Sequence, residues 1–208
     1  MNYKYLSFND EKALNIINEG HVLAFPTETV FGLGVIYDKK EAFDELVSLK
    51  QRNPDKPFTI MISNIQEIAF FTDIDEKIRR VIDKYFPGEI TLILKSKKTY
   101  PWIDLNQGTV GIRMSALNEL NEFIARIGKP LLVTSANISG QSPLYNAEEV
   151  NDTFKENLKG IVKLDNINSS NLPSTIVKII DGKIELIRQG KISFDEIKKT
   201  WEGEENEN

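Results

Sequence analysis

The chain contains no cysteine and a single histidine, His21. The first absence excludes disulfides, thiolate zinc sites and thiol nucleophiles, and it suits a reducing compartment. The second removes the imidazole set of a catalytic zinc and argues against a serine–histidine couple. His21 itself reads as a half-buried strand residue rather than a base. Long apolar runs are missing too: no stretch approaches the ~20 residues that a helix needs to cross a bilayer. The opening residues, MNYKYLSFND, carry neither the basic flank nor the apolar core of a secretory leader, so a cytoplasmic location without membrane attachment is expected. Positive charge is in deficit, with 26 Lys and Arg against 31 Asp and Glu, a net charge of −5 and a pI near 5.1. That balance argues against broad nucleic-acid binding, which needs a basic face, but leaves room for a local cation cluster.

Two phosphate-binding signatures are also absent. The segment V-F-G-L-G-V lacks the third glycine of a dinucleotide fingerprint, and there is no G-x-x-x-x-G-K-[ST] loop. No pair of carboxylates has a spacing that suggests acid–base work. Any metal is therefore expected to be a hard cation shared with a phosphate ligand, with no protein metal site.

What is present fits one α/β domain over residues 1–201, followed by an acidic, Asn-rich tail at 202–208 expected to fray. Apolar runs at 22–25, 58–62, 90–94, 110–113, 131–133 and 161–164 read as strands. Thr175 to Ile180 and Ile184 to Arg188 flank Asp181-Gly182, the strongest hairpin signal in the chain. Helix starts are expected at Ser7/Asp10, Asp38/Glu41, Asn64/Glu67, Asn146/Glu149 and Ser193/Glu196, each a polar residue followed three later by an acid. Ile78, Val81, Ile82 and Tyr85 form a helical stripe, and further helix signals cover 116–127. Residues 96–107 and the segment DNINSSNLP read as loops. Helices mixed with strands, some joined by a hairpin and others by crossovers, imply an open, twisted mixed sheet with flanking helices.

The stretch from Phe25 to Pro57 has the character of a ligand site. An apolar strand stops at Pro26, and Thr27, Glu28 and Thr29 supply short polar side chains. Gly32 and Gly34 are expected to let the backbone approach a ligand or take positive φ. The following helix ends in Lys50 and Arg52, with Lys56 close behind; these cations suit either an anion site or a solvated helix end favoured by the macrodipole. Thr134 to Gly140, T-S-A-N-I-S-G, follows a strand and can present successive N–H groups to an anion, or close on itself as a turn. Arg113 and Arg188 each end a strand, where a guanidinium can grip a carboxylate bidentately or make a structural ion pair.

Taken together, P-T-E-T-V-F-G-L-G, K-Q-R with K-P, P-G-E-I-T-L-I-L, T-V-G-I-R, T-S-A-N-I-S-G, P-S-T-I-V and I-R-Q-G resemble, in order and spacing, the YrdC/Sua5 family of L-threonylcarbamoyladenylate synthases. The resemblance covers about residues 10–192 and the short, single-domain form of the family. It implies a YrdC-like fold with a concave basic site. It also implies a reaction of L-threonine, bicarbonate or CO2, and ATP, giving threonylcarbamoyl-AMP and pyrophosphate for the modification of adenosine 37 in tRNA. By the same resemblance Thr29, Arg113, Ser135 and Ser174 hold threonine. Arg52, Lys56, Thr109, Asn137, Tyr145 and Arg188 hold ATP, Lys50 and Arg52 act electrostatically, and Mg2+ arrives with the triphosphate. The implied partner is the tRNA threonylcarbamoyltransferase complex, with direct tRNA contact left open. Met61 stands where some members carry a histidine. Two other readings remain: a double-stranded RNA-binding module, and the carbamoyl-transfer domain of hydrogenase maturation proteins.

Overall fold

The computed structural model describes residues 5–54, 56–97, 102, 108–165, 170 and 172–203. The expected loop at 96–107 lies mostly outside these residues, as do much of DNINSSNLP and the tail from 204 onward.

The strands are β1 (Leu23–Phe25), β2 (Gly32–Ile36), β3 (Thr59–Ile62), β4 (Ile90–Lys95), β5 (Thr109–Met114), β6 (Leu131–Ser135), β7 (Gly160–Ile161), β8 (Thr175–Ile180) and β9 (Lys183–Arg188). Among the described residues they form one sheet in the order β7-β1-β2-β6-β3-β5-β4-β8-β9. The sheet is mixed, as the sequence implies: β3 runs parallel to β5 and β4 to β8, while β2, β3 and β6 pair antiparallel. Period-2 alternation sends Ile60, Ile62, Ile112 and Leu132 into the core with no exposed surface. Burying each contributes about 1.5–3 kcal/mol.

The helices are α1 (Glu11–Glu19), α2 (Lys40–Lys50), α3 (Glu76–Tyr85), α4 (Asn118–Ile127), α5 (Ala147–Phe154) and α6 (Phe194–Glu202). In α3 the stripe Ile78, Val81, Ile82 is buried, and Asp75 caps the first turn by accepting the Ile78 N–H at 2.8 Å. The expected caps are present at Asn64, which starts a 3₁₀ turn rather than an α-helix, and at Asn146, whose Oδ1 accepts the Glu149 N–H at 2.8 Å. Asp38 does not cap α2. That helix starts two residues later, and Asp38 Oδ2 accepts from Lys129 Nζ instead. Asp10 and Ser193 occupy N-cap positions without a side-chain cap bond. The hairpin turn is as expected, with Asp181 and Gly182 both at positive φ, the pair of conformations a tight hairpin requires.

One strand goes unanticipated. Gly32–Ile36, read as part of a glycine-rich turn, is β2, paired with β1 on one side and β6 on the other. Neither Gly32 nor Gly34 has positive φ. A Cβ on Gly34 would lie 2.6 Å from the Phe25 ring and one on Gly32 3.1 Å from it. These glycines make room for Phe25 across the ladder, which is why the strand tolerates two of them. The strand expected at 161–164 shortens to Gly160–Ile161, continued by an isolated bridge between Leu6 and Val162.

Candidate functional site

Alternation that buries one side of β3, β5 and β6 turns the other side toward a cavity of about 240 Å³. Thr59 and Met61 of β3 stand beside Gly111 and Arg113 of β5, and Thr59 also pairs with Val133 of β6. Gly32 pairs with Ser135 at the end of β2 and β6. Loops close the cavity: Thr27, Thr29 and Phe31 from one side, Arg52 and Pro57 from another, and Pro173, Ser174 and Arg188 from a third. The loop after β6 is tied down by main-chain bonds, with Ala136 N–H donating to Phe31 O at 2.7 Å and Phe31 N–H to Leu144 O at 3.1 Å.

Three guanidinium groups line this one cavity. Arg52 is half-buried; its Nη2 donates to Pro57 O at 2.9 Å, and the group lies 4.9 Å from the centre of the Phe58 ring. Arg188 donates from Nε and Nη2 to Ser174 O, at 3.1 and 2.9 Å, and from Nη2 to Ser174 Oγ at 3.2 Å. Burial lowers the pKa of both, and the charge of Arg113 adds to the lowering at Arg188. Neither has a carboxylate partner among the described residues. Arg113 does: its Nη2 donates to Glu28 Oε1 at 2.6 Å and to Thr29 Oγ1 at 2.9 Å, all three side chains being buried. The Nε atoms of Arg52 and Arg113 are buried and without a hydrogen-bond partner.

Glu28 is the residue that sequence reasoning passed over as a site component. Its Oε2 accepts from Ser115 Oγ in a short hydrogen bond. Burial is the largest single influence on Glu28 and opposes ionisation. Arg113, the Ser115 hydroxyl and the Ala116 N–H outweigh it together and hold the carboxyl below its ordinary pKa. A charged residue between two threonines, just after a strand that ends in proline, was the available signal.

Lys50 occupies a place of its own. Gln51 adopts the left-handed conformation at the end of α2, with φ 50°, and Arg52 N–H closes the turn onto Val47 O at 3.0 Å. That turn separates the two cations of K-Q-R. Arg52 reaches the cavity, whereas Lys50 turns inward with no exposed surface. Its Nζ donates to Ser135 O, to Asn137 O at 2.9 Å and to Asn137 Oδ1 at 2.9 Å. Burial, followed by the charge of Arg52, lowers its pKa to about 7. Lys50 thus sits behind the T-S-A-N loop rather than on the cavity wall.

Of the residues expected to bind substrates, the cavity gathers Thr29, Arg52, Arg113, Ser135, Ser174 and Arg188. Ser174 Oγ is also within 2.9 Å of Thr91 Oγ1. Asn137 is buried behind the loop, accepting from Ser135 Oγ at 2.7 Å and donating to Ile138 O and Gln141 O. Thr109 lines an adjoining hollow of about 330 Å³ that shares Pro57, Phe58, Thr59, Thr91 and Ile176 with the main cavity. Tyr145 is exposed in another hollow, of about 260 Å³, which shares Thr27, Val30 and Phe31. Lys56 is exposed next to cavity-lining Pro57 and does not itself line the cavity. Among the described residues no cluster of three or more His, Asp or Glu side chains could hold a metal ion, and no helix is long and apolar enough to cross a membrane.

A family model named Sua5_yciO_yrdC and described as "Telomere recombination" matches residues 15–190. A threonylcarbamoyl-AMP synthase of Wigglesworthia glossinidia brevipalpis is 34% identical over 184 residues, covering 86% of this chain and 92% of that protein. Among solved structures, P. abyssi Sua5 complexed with L-threonine aligns with a TM-score of 0.84 at 29% identity over 90% of this chain. The chain spans 56% of that larger protein. T. kodakarensis HypF aligns with a TM-score of 0.75 at 20% identity, covering 88% of this chain and 24% of that one, which is a likeness of fold alone.

Proposed function

The chain belongs to the Sua5/YciO/YrdC family, and from that premise we propose that it is a threonylcarbamoyl-AMP synthase, joining L-threonine, bicarbonate or CO2, and ATP with release of pyrophosphate. The observation that carries this reading is the cavity's charge: three convergent guanidiniums, only one of them neutralised by a carboxylate. An acidic protein thereby focuses positive potential where a polyphosphate would lie.

The threonine amine attacks CO2 to give a carbamate and release a proton. A carbamate oxygen then attacks the α-phosphorus in line and expels pyrophosphate. This chemistry needs no protein nucleophile, only positioning and stabilisation of developing charge. Thr29, Arg113, Ser135 and Ser174 would hold threonine, with the Arg113 guanidinium the partner for its carboxylate. Arg52 and Arg188 would hold the triphosphate, together with the exposed charge of Lys56, and Mg2+ would arrive on ATP as part of the substrate. Pockets for drug-sized ligands run about 300–1,000 Å³. The main cavity is therefore small for both substrates, and the adjoining hollow lined by Thr109 would take the nucleoside; Tyr145 stands in the separate hollow beside Thr27 and Phe31, and Asn137 lies behind the Ser135 loop. The product would serve tRNA threonylcarbamoylation in the cytoplasm, passed to a separate transferase. No specific observation favours the double-stranded RNA or hydrogenase-maturation readings.

The test is to incubate the protein with ATP, Mg2+, bicarbonate and L-threonine and to follow pyrophosphate and the mass of threonylcarbamoyl-AMP. Pyrophosphate release that ignores threonine would overturn the assignment.

A further inference from the structure

Glu28 is a buried carboxylate that the proposed chemistry does not use. It does not line the cavity, yet it contacts the most deeply buried of the three guanidiniums there. We propose that Glu28 reserves the Arg113 corner for a zwitterionic amino acid, by fixing the guanidinium in place and cancelling its charge so that polyphosphate is left to Arg52 and Arg188. This rests on the reading of the cavity as the threonine and ATP site.

The positioning half of the argument is geometric. Arg113 Nη2 is held by Glu28 Oε1 and Thr29 Oγ1, and Glu28 is held in turn by Ser115 Oγ. Ser115 is anchored at the start of α4: its Oγ accepts the Leu117 N–H at 3.1 Å and its carbonyl accepts from Asn121 Nδ2 at 2.8 Å. A rigid chain therefore runs from α4 to the cavity wall and fixes an arginine that would otherwise lose substantial rotamer freedom on binding. The guanidinium so fixed still lines the cavity, where a ligand carboxylate can meet it.

The charge half follows from the pairing. Arg113 with ionised Glu28 is neutral as a unit, so it offers hydrogen bonds without a net attraction for a highly charged anion. A zwitterion, itself neutral, loses little by binding there. Among the described residues Arg52 and Arg188 are opposed by carbonyl and hydroxyl oxygens alone, which leaves their charge to attract phosphate. Without the Glu28 charge, all three guanidiniums would compete for the same polyanion.

Glu28→Gln tests this because it keeps the side chain's shape and its acceptor oxygen but removes the charge. With wild type first shown to turn over threonine, the expected result is a KM for L-threonine raised about tenfold, a nearly unchanged KM for ATP, and new competition between inorganic tripolyphosphate and threonine that wild type lacks. A folded variant with unchanged KM for threonine, or with only kcat lowered, overturns the proposal. If Glu28→Gln does not fold, Ser115→Ala decides: loss of the hydroxyl that holds Glu28 should raise the threonine KM in the same direction, and an unchanged KM overturns the proposal. A wild-type protein that makes no threonine-dependent pyrophosphate refutes the functional reading instead, which keeps the two failures apart.

Discussion

Arg113 and Arg52 line the same cavity, but the first faces a buried carboxylate and the second a backbone carbonyl. Arg188, across the cavity, resembles Arg52: its partners are the carbonyl and hydroxyl of Ser174. Arg113 belongs to the protein's internal electrostatics, and removing it strands a charge in the core. Arg52 and Arg188 have no counter-charge among the described residues, and a cation held that way gains most when an anion arrives. The contrast separates a cavity guanidinium on which the interior also depends from two that the interior could lose.

The contrast is tested most strongly through stability. Arg113→Ala leaves Glu28 ionised and unpaired in the interior, so a loss of about 3–5 kcal/mol is expected by chemical denaturation. The double variant Arg113→Met with Glu28→Gln should recover most of it while remaining inactive. A mild Arg113→Ala would mean that water reaches Glu28 and that the pair is not a buried one. Arg52→Ala reverses the pattern. It should lower kcat/KM about 10²–10³-fold, as for other donors aimed at developing charge, with a stability change within about 1 kcal/mol. A large fall in melting temperature would instead give Arg52 a structural role through its contact with Phe58.

A smaller effect is expected where the two sides of the cavity meet. A Cβ on Gly190 would lie 2.3 Å from Pro173 O and 2.4 Å from Thr175 N, and the Gly190 N–H donates to Thr175 Oγ1 at 3.0 Å. The backbone that carries Ser174 therefore packs directly on Gly190. Gly190→Ala should cost about 1–3 kcal/mol and raise the KM of both substrates together, because it displaces Ser174 and with it the Arg188 anchor. A rise confined to one substrate would separate the two sides.

The sequence made much of this visible, and the omissions have physical causes. The apolar runs at 90–94 and 110–113, the Asp181-Gly182 turn and the Asn64 and Asn146 caps are set by local chemistry, and all are present. Gly32–Ile36 was not legible as a strand because the reason for its glycines lies in the ring of Phe25, a contact across the sheet. Asp38 had the spacing of a cap, yet Lys129, 91 residues away in sequence, takes its oxygen. The cations of K-Q-R were legible as a cluster, but nothing local showed that a left-handed Gln51 sends them to different environments. Glu28 was visible only as one of three polar residues, since its meaning comes from Arg113 and Ser115 on a distant strand and its following turn.

Lys50 allows the most selective test. Its pKa is lowered to about 7 from an ordinary 10.5, so between those values the unfolded chain binds a proton that the folded protein does not. Stability from this group must therefore rise with pH across that window. Lys50→Met lacks the titration, and the unfolding free energy of wild type relative to this variant should grow between about pH 7 and pH 10.5. The geometry sets a counterforce. Nζ faces three oxygens, and a neutral amine can donate to only two of them. A pH-independent difference would show that the three acceptors keep the ammonium protonated against burial. Lys50 would then be a permanent internal cation holding the Ser135–Asn137 loop, the counterpart on that side of the cavity to Glu28 behind Arg113.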